Sequence, residues 1–139
     1  MSQGQVAFWR YRHPSQGYRG HHLSADAAAC ELLLRELARA GEKRIDLELT
    51  PLTNEILAVP NSRADAVGFK SLRIEIAKSV EPTVRVEEKH PRCTVVLSGD
   101  GAREFTAGIK DLASGGAGDR AIGPEGHEIW FWRWHDQAP

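Results

Sequence analysis

Period-two patterning marks several stretches of the chain as strands, and apolar positions recur every three or four residues in two others. The first alternating stretch, "QVAFWRYR", puts Val6, Phe8, Arg10 and Arg12 on one face and Ala7, Trp9, Tyr11 and His13 on the other, so a strand is expected. "HPSQGYRGHH" follows as a polar, glycine-containing loop. "LSADAAACELLLRELARAG" then switches to helical spacing. Ala27, Cys30, Leu34, Leu37 and Gly41 form its stripe, Leu33 widens it, and Ser24 is the expected N-cap. "RIDLEL" is a strand with Ile45, Leu47 and Leu49 on one face. Residues 50–70 show no clear period. Pro51 and Pro60 interrupt them, and "SRADAVGF" resembles one helical turn with Ser62 and Asp65 in capping spacing.

Three further strands, "SLRIEIAK", "TVRVEEK" and "CTVVLSG", read as an antiparallel meander. The third is apolar on both faces and therefore central. "GAREFTAGIKDLASGG" is a second helix with Ala102, Phe105, Ile109 and Leu112 on its stripe. A glycine-rich loop, "GGAGDRAIGPEG", leads into a last strand, "HEIWFWRWH". The expected fold is one α+β domain over residues 1–139. Its sheet is mostly antiparallel, of about five to six strands in the order β-α-β-β-β-β-α-β, with two helices packed on one face.

Composition narrows the possible functions. With 139 residues the chain can bury a full core without a disulfide or metal staple. A net charge of -1 argues against nucleic-acid binding, which needs a basic excess. Nothing reaches 18 consecutive apolar residues, and no basic segment followed by an apolar core stands near Met1. A cytoplasmic protein without a membrane role is expected. Cys30 and Cys93 sit on apolar faces, where cysteine acts as a small hydrophobe, and no Cys-x-x-Cys pair suggests zinc.

The last strand carries the clearest signal. Period two places Trp130, Trp132 and Trp134 on one face and Ile129, Phe131 and Arg133 on the other. If the terminal strands are neighbours, Trp9 and Tyr11 join the same cluster. Turned toward the helices, this stripe would simply be core; on the face away from them, an aromatic stripe of that size would be an interface for a protein partner or a second copy of the chain. Arg10, Arg12 and Arg133 would flank it, placed to stack on its rings or to pair with acidic groups. The expected function is a non-enzymatic binding module using Trp9, Tyr11, Trp130, Trp132, Trp134 and Arg133, with no cofactor.

The other reading is a small enzyme or a ligand or metal binder at the strand ends. His13, His21, His22 and His127 would line that site, although their spacing matches no metal motif and no metal ligand is assigned. Glu55 and Asp65 would act as acid and base only if their segment folds over a pocket. "LSGDGAREF" has the strand, glycine turn and helix of a phosphate site. Glu104 in the third glycine position and the acidic Asp100 favour a plain turn instead.

Overall fold

The computed structural model describes residues 4–11, 20–39, 43–50, 66–77, 83–115 and 120–133, with only the backbone of Lys43, Arg120 and Arg133. The expected residues His13, Gly41, Glu55, Ser62, Asp65 and Trp134, together with Arg12, lie outside that set. The elements run β1 (Val6–Tyr11), β2 (His21–Ala25), α1 (Ala27–Ala38), β3 (Lys43–Glu48), β4 (Ala66–Gly68) and β5 (Ser71–Ile76). They continue with β6 (Val84–Lys89), β7 (Arg92–Leu97), α2 (Gly99–Ala113), β8 (Arg120–Ile122) and β9 (Ile129–Arg133). The fold is α+β, as the sequence pattern implies.

The strands form two mixed sheets rather than one. The five-stranded sheet has the order β4-β1-β2-β9-β8 and the four-stranded sheet the order β3-β5-β7-β6. Each contains one parallel pair, β2 with β9 and β5 with β7. The meander is therefore corrected. β6 and β7 form the expected hairpin, but β5 lies along the other side of β7 and runs parallel to it. That placement explains why β7 is apolar on both faces: Val95 and Val96 are both buried.

Several short elements also depart from the sequence pattern. His21–Ala25 is a strand and not the end of a loop, so Ser24 does not cap α1. Asp26 does, its carboxylate accepting from Ala29 N at 2.9 Å. Ala66–Gly68 pairs with β1 and is not a helical turn. Arg120–Ile122 leaves the glycine-rich loop to pair with β9. β4 and β8, three residues each, are edge strands paired to longer neighbours, whereas β2 is the middle strand between β1 and β9.

One hydrophobic core joins both sheets and both helices. Phe8, Leu23 and Phe131 from the five-stranded sheet meet Leu33 of α1 and Phe105 and Ile109 of α2, with Leu72, Ile74 and Val95 from the other sheet. Phe105 and Phe131 meet edge to face at 5.3 Å. Ala27, expected on the α1 stripe, is exposed, while Ala29, Cys30 and Leu33 are buried. α2 is capped by Ser98, whose hydroxyl accepts from Gly101 N at 3.1 Å. No helix among the described residues is long and apolar enough to cross a membrane.

Candidate functional site

Period two makes the five-stranded sheet two-faced. Ile129 and Phe131 of β9 turn toward α2 and the main core, while Trp132 belongs to a separate cluster with Ala7, Trp9 and Tyr11 of β1. Trp130 and Ala66 pack against that second cluster from its rim. β1 and β9 are not neighbours, however. β2 lies between them, antiparallel to β1 and parallel to β9. Its registers align Trp9 with His22 and His22 with Trp130, so an imidazole stands between two indoles in one row across the sheet.

The ring geometry follows that row. Trp9 stacks on His22 at 4.4 Å, and Tyr11 meets both rings edge-on at 5.2 Å. On the other side His22 lies 6.4 Å from Trp130 and 6.1 Å from Trp132, and the two indoles are 6.2 Å apart and nearly parallel. Trp132 Nε1 donates to His22 Nδ1 at 2.9 Å, and Trp9 Nε1 makes a longer 3.4 Å bond to Ser24 Oγ. Large rings with polar handles are thus buried together with those handles satisfied.

The stripe is less open than an interface strip would be. Trp9 is 0% exposed, Tyr11 3% and Trp132 7%, because the rings shield one another and close around His22. Trp130 alone among the described members is half-buried. Trp134 lies outside the described residues, and the side chain of Arg133 is not described. Arg10 does not flank the stripe. It lies on the opposite face of β1, where Nε donates to Glu88 Oε2 of β6 at 2.6 Å.

His21 and His22 do not share a site, because neighbouring residues on a strand point to opposite faces. His21 stacks on Phe8 at 5.4 Å, and its Nε2 lies 2.6 Å from the same Glu88 oxygen that Arg10 uses. Its Nδ1 is buried without a partner. Burial lowers the His21 pKa below 6.5 and outweighs the opposing bond and charge of Glu88. Burial alone would raise Glu88, but the hydrogen bonds and charges of Arg10 and His21 hold it below the usual 4.5. His127 accepts from Val86 N at Nδ1, 3.1 Å away. Among the described residues no group of three or more His, Cys, Asp and Glu is arranged to hold a metal ion.

The sequence pattern misses His22 and Ser24, the polar centre of the cluster. Their only trace is the alternation in "HHLSA", which sets His22 and Ser24 against His21, Leu23 and Ala25. Compared with known protein families, curated proteins and solved structures, the chain matches none.

Proposed function

We propose that this chain is a non-enzymatic binding module, that its working side is the aromatic face of the five-stranded sheet, and that its occupant is a second copy of the chain. The observation that carries this is the half-buried Trp130 at the rim of a pre-stacked aromatic row, on the face turned away from both helices. A ring held in place by its neighbours loses little freedom on binding, which favours aromatic anchors at interfaces. A net charge of -1 leaves almost no repulsion between copies. The reading includes a cytoplasmic location, in keeping with two buried free cysteines. A ligand site built on His21 is the weaker alternative, since its bare nitrogen is closed in and its ring lies against Phe8 and Phe69.

Sedimentation equilibrium from low micromolar to sub-millimolar concentration tests the proposal. The wild type should dimerise, and Trp130→Ala should weaken the dimer by roughly tenfold or more while circular dichroism stays unchanged. A wild type that remains monomeric throughout, or a Trp130→Ala dimer of equal strength, removes it.

A further inference from the structure

A single carboxylate oxygen joins the two sheets. Glu88 Oε2 of β6 accepts from Arg10 Nε of β1 and from His21 Nε2 of β2, each at 2.6 Å. β1 and β2 belong to the five-stranded sheet and β6 to the four-stranded one. A carboxylate only accepts, so the His21 proton in this contact sits on Nε2. Nδ1 of the same ring is then a lone pair, buried and without a partner. The Glu88 side chain still meets solvent at 29%, but that of His21 is only 10% exposed. Its ring is stacked on Phe8 at 5.4 Å and tilted against Phe69 at 6.1 Å.

A second proton on His21 would meet no acceptor and little opposing charge. Among the described residues, Arg10 on β1, Glu88 on β6 and His127 ahead of β9 face the ring. Cys93 of β7 pairs with Glu88 across the strands, and His90 lies against Phe69. Glu88 supplies the negative charge of this group and already bonds the Arg10 guanidinium, so charging His21 would set two cations on one carboxylate. Burial pushes the Cys93 thiol up to about 12, so it is neutral and offers no counter-charge. His127 spends its Nδ1 on Val86 N. A charged imidazole in this seat would bury an N–H that nothing accepts, which is the costly case.

We propose that His21 is an acid-sensitive latch between the two sheets: neutral, it ties β2 to β6 through Glu88, and it takes a second proton only by leaving its seat against Phe8 as the junction parts. In the unfolded chain the ring takes that proton near 6.5, whereas burial lowers the folded value below it. The fold therefore keeps the full contribution of His21 above 6.5 and loses it as pH falls through 6.5 toward the lower folded value. Within that window this ring alone raises the unfolding constant by up to about tenfold per pH unit. The latch lies on the opposite face of β2 from the row of His22 and Trp130, so it stands whether or not two copies pair on the aromatic side.

The test compares urea unfolding of the wild type with that of His21→Gln, from about pH 7.5 to about pH 5.5, above the range of ordinary carboxylates. Every other histidine is common to the two proteins, so the difference between their profiles isolates this ring. Glutamine offers an N–H near the place of Nε2 and does not titrate. The ratio of the wild-type to the variant unfolding constant should rise by at least about threefold as pH falls over that interval. A contact that is merely structural would displace the whole profile without changing its slope. A smaller rise, or parallel profiles, overturns the latch. Should His21→Gln fail to fold, nitrogen NMR of histidine-labelled wild type decides. His21 must then keep its proton on Nε2 and stay neutral below the ordinary histidine range, and a ring that titrates at or above about pH 6.5 in the intact fold refutes the proposal.

Discussion

Trp132 Nε1 donates to His22 Nδ1 at 2.9 Å, and this one bond ties β9 to β2 across a parallel pair that backbone bonding alone would hold less firmly. Removing the donor leaves a buried acceptor unpaired. Trp132→Phe should therefore cost about 2–4 kcal/mol, combining the stranded imidazole with the lost ring area, as read from urea unfolding. A cost under about 0.5 kcal/mol would show that the bond is not formed in solution.

Gly108 sets how closely α2 lies on the sheet. A Cβ there would stand 2.6–2.8 Å from three ring atoms of Phe131. Alanine improves helix propensity by about 1 kcal/mol, yet overpacking of this kind costs about 1–3 kcal/mol. Gly108→Ala should therefore be net destabilising. Adding Phe131→Leu makes room, so the double variant should lose less stability than the two single changes added together, and strict additivity would contradict the contact.

Both thiols should be silent in the native protein. Burial pushes Cys30 up to about 11, with a further push from the Asp26 charge. It pushes Cys93 up to about 12, with a further push from Glu88. Mass spectrometry after iodoacetamide treatment at mildly alkaline pH should find neither residue alkylated until denaturant is added. Labelling of Cys93 in the native fold would mean that its strand opens readily.

Glu88 joins the two sheets by accepting from Arg10 and His21 on one oxygen. Its carboxyl and the Arg10 guanidinium are each about 30% exposed, so solvent screens the pair and Glu88→Gln should cost only about 1 kcal/mol at neutral pH. A carboxyl held below 4.5 stabilises the fold above that value and loses its contribution as pH falls through the lower folded value. The stability gap between wild type and Glu88→Gln should thus be constant near neutrality and close in acid. A gap that widens as pH drops would contradict the shared-carboxylate geometry.

Local pattern was enough for much of this fold. The two helices, the charged-apolar alternation of β3, β5 and β6, and the central position of β7 all follow from residue spacing, because each depends on neighbours a few positions away. The separation of Ile129 and Phe131 from Trp130 and Trp132 follows from period two in the same way. The aromatic site was only half legible. Its indoles were visible, but the imidazole at its centre was not, since "HHLSA" has little strand propensity and becomes a strand only between β1 and β9.

Chain order by itself determined which residues share a face of each element, and with it the existence of an aromatic side and a helix-covered side. Only the tertiary structure decided that β2 slots between the terminal strands, that the histidine pair divides between two environments, and that the indoles close around a ring instead of standing bare. The reason is physical: side-chain direction repeats along a strand, whereas strand order depends on pairings between segments far apart in the chain, and no local period records them.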